Sequence, residues 1–192
     1  MRIAIIGLGA IGSNLAMSLI ADCKEHEYYL LDRDSVEPRN LQAHTQAYLR
    51  EQIDMPKAKA LRINIYNLLG IETQALIEDL GSKEIEVKTN EYELILDCLD
   101  NSAGRQYLYD YAKYHKCDCL HVGFSPQFTF EICWNKSYIV PEDAAGLDIC
   151  QLEGASSFVK YVASLASSVV QDFLRSGRKR NLIGNRFSIR EI

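Results

Sequence analysis

The stretch RIAIIGLGAIG, residues 2–12, decides how the rest of the chain is read. Ile3, Ala4, Ile5 and Ile6 follow one another without a polar break, as in a strand buried on both faces. Gly7, Gly9 and Gly12 then come at G-x-G-x-x-G spacing, and SNLAMSLIADC (13–23) carries apolar residues at helical spacing. A glycine-rich turn between a buried strand and a helix aims backbone N–H groups and a helix N-terminus at a phosphate. EYYLLD (27–32) is a second strand. It ends in Asp32, about 20 residues after Gly12, where a carboxylate can accept hydrogen bonds from a ribose. A tight structural turn is the plainer alternative, but strand, helix and Asp32 together favour nucleotide binding.

Working outward, strand and helix patterns alternate. PKAKALRINIYNLL (56–69) opens with proline at a helix start, and SAGRQYLYDYAKYHK (102–116) is a second amphipathic stretch. IETQALI (71–77), YELILDCL (92–99) and CLHVGF (119–124) read as strands. FTFEICW (128–134) and SYIVP (137–141) lack a long helix between them and are expected to form an antiparallel pair. ASSFVKYVASLASSVVQDFLRSG (155–177) is the longest helix, with Phe158, Val162, Ala166, Val169 and Phe173 as its core stripe. The alternating tail NRFSIREI (185–192) suits an edge strand. The expected fold is α/β and Rossmann-like, a mostly parallel sheet with helices on both faces and an antiparallel C-terminal extension. One domain spans residues 1–192, with a core over 1–125 and the extension over 126–192.

Composition narrows the function. A formal net charge of −5 argues against general nucleic-acid binding, which needs a basic face, and the one basic run, RSGRKR (175–180), reads as a solvated helix end. The glycine spacing and the lack of a basic leading region exclude a signal peptide at the start. No stretch reaches the roughly 20 apolar residues of a membrane span. Cys23, Cys98, Cys117, Cys119, Cys133 and Cys150 lie scattered in apolar surroundings, as buried thiols of a cytoplasmic protein do.

Two further stretches separate the chain from an NAD-dependent oxidoreductase, the alternative its first loop would suggest. DRDSVEPRNLQ (32–42) opens a long polar segment over 33–55 that a dehydrogenase does not need, and DMPK brings Lys57 to a helix start. DCLDN (97–101) places Asp97, Asp100 and Asn101 at the mouth of a buried strand. LLDRDSVEPRNLQ, QIDMPKAKALRINI and DCLDN, in this order after the glycine loop, resemble the ThiF/MoeB/HesA adenylyltransferases, bacterial relatives of the ubiquitin-activating enzymes. The resemblance runs from about residue 2 to 175.

The resemblance implies ATP- and magnesium-dependent adenylylation of the C-terminal glycine of a small ubiquitin-like or sulfur-carrier protein (ThiS-like or MoaD-like), with release of pyrophosphate. It also implies a homodimer. Attack of a carboxylate on an α-phosphate brings anion to anion, so the enzyme's work is charge neutralisation and positioning. By resemblance Lys57 neutralises the phosphates, Asn40 hydrogen-bonds them, Asp32 holds the ribose and Asp100 holds magnesium, with Asn101 over the nucleotide. Asp97 is expected to brace the loop. A plain solvated lysine at 57, and a helix cap at Asp100 or Asn101, are the structural alternatives.

The chain departs from the family in three places. Where relatives read NLQR, with an arginine on the phosphates, this sequence reads NLQAH, with Ala43; Arg39 is the first candidate to substitute, before His44 and Arg50. Relatives carry an N-terminal helical segment whose arginine reaches the partner subunit's site, whereas this sequence starts on its first strand. The two C-x-x-C pairs that hold zinc in many relatives are missing, and the two thiols of CDC (117–119) fall short of four ligands, so zinc is not expected. A relative that binds nucleotide as a sensor or scaffold, without transferring it, is therefore the alternative outside enzymology. Cys150, in the stretch before the long helix, aligns with the loop whose thiol links covalently to the carrier in some members, and a buried inert cysteine is its plainer reading.

Overall fold

The computed structural model describes residues 1–42, 44–79, 92–143 and 152–192. In chain order the described elements are β1 (Arg2–Ile6), α1 (Ala10–Asp22), β2 (Glu27–Leu31), α2 (Pro38–Gln42), α3 (Lys57–Leu69), β3 (Gln74–Leu76) and β4 (Leu94–Asp97). There follow α4 (Ser102–His115), β5 (Asp118–Phe124), β6 (Thr129–Trp134), α5 (Ala155–Ser176), β7 (Leu182–Asn185) and β8 (Ile189–Glu191). Single 3-10 turns lie at Arg50–Gln52 and Asn135–Ser137.

The apolar run of β1 puts it inside the sheet, whose order is β3-β2-β1-β4-β5-β6-β7-β8. The first five positions are parallel, and β6, β7 and β8 are added antiparallel. Ile6 is level with Leu31 on one side and Asp97 on the other, so three strands end at one edge. From β1 the chain proceeds first towards β3 and then back towards β5. Between β1 and β4 lies the switch point where such sheets open a crevice.

Period-two alternation assigns the faces. Ile3 and Ile5 pack with α1, α3 and α5, while Ala4 and Ile6 pack with Leu108, Tyr111 and Ala112 of α4. Helices thus cover both faces, as expected. On α5 the stripe of Phe158, Val162, Ala166 and Val169 is buried, and Phe173 packs at a tilt against Trp134 with ring centroids 4.6 Å apart.

Several local expectations change. Helix α1 starts at Ala10, inside the glycine motif, because Gly12 lets it sit against the strand end. The polar segment 33–55 contains α2 and the first 3-10 turn, tied back by a bridge between Ser35 and Pro56. The strand within 71–77 is confined to 74–76. Residues 137–141 form no strand, and β6 pairs instead with β5 and β7. Pro141 lacks an N–H for a ladder, Ile139 is 82% exposed, and the Tyr138 side chain is engaged elsewhere. The tail folds into the β7–β8 hairpin, and the basic run fastens it. Arg178 and Arg180 pair with Glu191 at 3.1 and 2.9 Å, and Lys179 pairs with Asp118. Among the described residues no helix is long and apolar enough to cross a membrane.

The three glycines of the first loop have different reasons. Gly7 has φ +83°, and a Cβ there would lie 2.9 Å from the backbone of Cys98 and Leu99. A Cβ on Gly12 would lie 2.0 Å from the Gly7 carbonyl oxygen, whereas one on Gly9 would meet nothing within 4 Å. Gly12→Ala is therefore expected to cost about 3 kcal/mol by forcing helix from strand, and Gly9→Ala to stay within about 1 kcal/mol. Urea unfolding of both variants checks the ordering, and equal losses would refute it.

Candidate functional site

At the switch point the loops after β1, β2 and β4 converge. Asp32, just past β2, points back under the glycine loop: one oxygen accepts from the Leu8 N–H at 2.6 Å, the other from the Asp34 N–H at 2.8 Å. Burial raises its carboxyl above the usual range, against the pull of the Lys57 charge and these two N–H donors. Asp32 thus laces the phosphate loop to β2, and each oxygen keeps a further lone pair for a ligand hydroxyl.

Lys57 is the first residue of α3, because Pro56 ahead of it starts the helix. Its backbone N–H donates to the Asp34 carbonyl at 2.9 Å, and its ammonium lies 3.3 Å from the Asp34 carboxylate. At 8% exposure it is no solvated lysine. Asn40 is buried, and its Oδ1 accepts from the Glu37 N–H at 2.8 Å, which leaves the amide N–H groups to face the crevice. Arg39 forms an ion pair with Glu37. Ala43 and Cys150 lie outside the described residues.

The two aspartates of DCLDN divide inward and outward. Asp97 is fully buried, with Oδ1 accepting from the Leu99 N–H at 3.0 Å and Oδ2 2.7 Å from Nδ1 of His121. Asp100 is exposed, and the Asn101 Oδ1 caps α4 by accepting from the Gly104 N–H at 2.8 Å. Asp97 braces the loop, and the capping alternative holds for Asn101, which also lines the crevice.

Sequence reasoning missed what lies behind Asp97. His121 is fully buried, and its Nε2 is 2.7 Å from the Asn135 Oδ1. The Asn135 amide nitrogen donates to the Tyr109 carbonyl at 3.3 Å, which orients the oxygen towards the imidazole. His121 is thus held between the Asp97 carboxylate and the Asn135 side chain. The Tyr138 ring stacks on His121 at 3.8 Å and 8°, and its hydroxyl accepts from Arg105 Nη1 at 2.8 Å. Burial works against the Arg105 guanidinium, yet the Asp97 charge and the Tyr138 hydroxyl hold its pKa above the usual arginine value. The one signal for this network was a histidine inside the apolar run CLHVGF.

Gly7, Gly9, Asp32, Arg39, Asn40, Lys57, Asp100 and Asn101 line one cavity of about 1860 Å³. Gly12 lies beneath the loop and only supports it. The cavity continues past Arg105 and Gly123 over Glu131, Ile183 and Arg190, which is longer than a nucleotide needs. Burial pushes the thiols of Cys98 and Cys119 far above the usual range, so neither is a thiolate at neutral pH. Among the described residues no three His, Cys, Asp or Glu side chains gather to hold a metal. Magnesium asks less: one or two carboxylates, with phosphate oxygens and water completing its shell, a demand that the exposed Asp100 meets.

The ThiF family model matches residues 1–185. The sulfur carrier protein ThiS adenylyltransferase of Escherichia coli (strain K12) is 32% identical over 106 residues, 55% of this chain and 41% of that protein. The crystal structure of E. coli MccB with ATP covers 100% of this chain and 63% of its own, at 14% identity and a TM-score of 0.76. E. coli MccB with MccA-N7isoASN covers 100% and 64%, at 14% identity and a TM-score of 0.78. At these identities the solved structures show a shared fold. The chain spans less than half of that curated relative and under two thirds of these two neighbours.

Asp97→Asn removes the carboxylate from a fully buried contact with His121. The expected loss is about 3–5 kcal/mol in urea unfolding at pH 7, part of it recovered when His121→Gln is added. A loss below about 1 kcal/mol, in the range of an exposed pair, would show that this buried contact does not hold the strand ends.

Proposed function

Because the chain belongs to the ThiF family, we propose that it adenylylates the C-terminal carboxylate of a small ubiquitin-like or sulfur-carrier protein, using ATP and releasing pyrophosphate. The observation that carries this reading is one continuous cavity, with phosphate-binding groups at one end and a long open run over β5–β8 at the other. The first suits a nucleoside triphosphate, and the second an extended protein tail.

In this reading the Gly7–Gly9 loop and the α1 N-terminus receive phosphate oxygens. Asp32 accepts from the ribose through its remaining lone pairs. Lys57 holds a positive charge where the triphosphate and the incoming carboxylate crowd together, and the Asn40 amide donates without adding charge. Arg39 supplies the guanidinium that Ala43 does not. A carboxylate oxygen of the acceptor attacks the α-phosphorus in line, the bond to the bridging oxygen breaks, and its electron pair leaves with pyrophosphate. Asp100 would hold magnesium, which when bound neutralises phosphate charge. Cys150 is the thiol we assign to any covalent link with the acceptor, and two copies of the chain form the working unit.

A second reading, a nucleotide-binding relative without transfer, draws on the ion pair of Arg39 with Glu37, which engages the substitute guanidinium. An NAD-dependent oxidoreductase finds no support, since His121 is fully buried and held between Asp97 and Asn135.

Calorimetry with ATP and magnesium against NAD tests the proposal. Magnesium-dependent ATP binding is expected, weakened about tenfold or more by Asp100→Ala and by Lys57→Ala, each of which removes a charged contact. Pyrophosphate exchange separates transfer from mere binding. Binding of NAD in preference to ATP would overturn the reading.

A further inference from the structure

Asp100 lies in a turn whose two sides are held differently. On the strand side the Leu99 N–H is fixed by the buried Asp97. On the helix side Asn101 caps Gly104, but a second carboxylate also arrives, from a distant part of the chain. Asp143 accepts from the Ser102 N–H through Oδ1 at 2.6 Å and from the Ser102 hydroxyl through Oδ2 at 3.1 Å. The pair spans 41 residues of sequence. Asp143 is itself anchored: six residues along, 138–143, begin with Tyr138, which stacks on His121 and accepts from Arg105. This short span is therefore fastened at one end to the buried network and at the other to the first residue of α4. Asp143, Asp100 and Asn101 all line the cavity.

From this geometry we infer that Asp143 is a positioning residue for the nucleotide site: its bidentate hold on Ser102 fixes the α4 side of the Asp100–Asn101 turn, as Asp97 fixes the strand side. The inference rests on the proposed ATP site. Asp143 touches neither nucleotide nor metal in this scheme and acts through the turn. On the helix side the Ser102 and Gly104 N–H groups are satisfied by the Asp143 carboxylate and the Asn101 amide oxygen, and on the strand side the Leu99 N–H is satisfied by Asp97, so the turn that carries Asp100 is held on both flanks. The hold is by geometry and not by charge alone, because an amide at 143 still presents an oxygen to the Ser102 N–H.

The test compares wild type, Asp143→Ala and Asp143→Asn in two measurements. The first is amide hydrogen exchange by NMR without any ligand. Asp143→Ala is expected to speed exchange at Ser102, which loses its acceptor, and also at Gly104, whose acceptor Asn101 is untouched. Acceleration at Gly104 therefore reports loss of the turn. The second is the affinity for ATP with magnesium, expected to weaken about tenfold in Asp143→Ala, as loss of a residue supporting a metal ligand does, and to be largely retained in Asp143→Asn. Unchanged exchange at Gly104, unchanged affinity in Asp143→Ala, or an Asn variant as weak as the Ala variant each overturns the inference. Wild-type protein that binds no ATP sinks the functional reading instead, and exchange at Gly104 still decides whether Asp143 fixes the turn.

Discussion

The Asp97 carboxylate is the constraint around which the rest of the molecule is arranged. It has no solvent, and each of its oxygens has a fixed partner: the Leu99 N–H on one side and the His121 ring on the other. A buried charge of this kind costs several kcal/mol unless its partners are all in place. The strand pairing supplies them, because Asp97 and His121 are register partners across β4 and β5. The loop after β4 then leaves the sheet in one direction, carrying Asp100 outward. On the other flank the backbone of Cys98 and Leu99 sits so close to Gly7 that a Cβ there has no room. The glycine loop and the acidic turn are therefore packed directly against each other.

The nucleotide end and the open end of the cavity come from different parts of the architecture. The first is built where parallel strands stop level with one another, from the loops that follow β1, β2 and β4 and from α2 and the start of α3. The second is laid over the antiparallel extension, where Glu131, Ile183 and Arg190 come from three successive strands. One face is a crevice of backbone donors suited to phosphate, and the other a side-chain surface suited to a chain in extended form. That division suits the proposed joining of a nucleotide to a protein tail.

Much of this was legible in the sequence wherever the signal was local. The run of Ile3 to Ile6 followed by spaced glycines announced a central strand and its loop, and the helical stripe from Phe158 to Val169 announced the packing of α5. The places of Asp32 past a strand and of Lys57 at a helix start were legible from the local pattern, whereas their roles came from the family resemblance. Non-local pairings were not legible. Nothing around His121 names Asp97 as its partner, since only strand register brings them together. Likewise Ser102 and Asp143 meet across 41 residues through an irregular span that the alternating apolar pattern of SYIVP made look like a strand. Pattern reading knows the period of a segment, but it does not know which neighbour has already taken its hydrogen bonds.

The β7–β8 hairpin has a consequence for how the cavity behaves in solution. Every residue of β8 is exposed, and the hairpin is held at the sheet edge by a short ladder and by Glu191 with Arg178 and Arg180. Such pairs are weakened by mobile ions, whose screening length is about 8 Å at physiological ionic strength. The centre of the sheet, by contrast, is held by residues such as Ile3, Ile5, Leu30 and Leu96 that no ion reaches. Rigidity is therefore graded across the sheet, and the gradient runs along the cavity. Screening acts on the ion pairs beside the wall formed by Ile189 and Arg190 and not on the apolar packing beneath the glycine loop. The cavity therefore has a firm end beneath the glycine loop and a softer one along its outer strands.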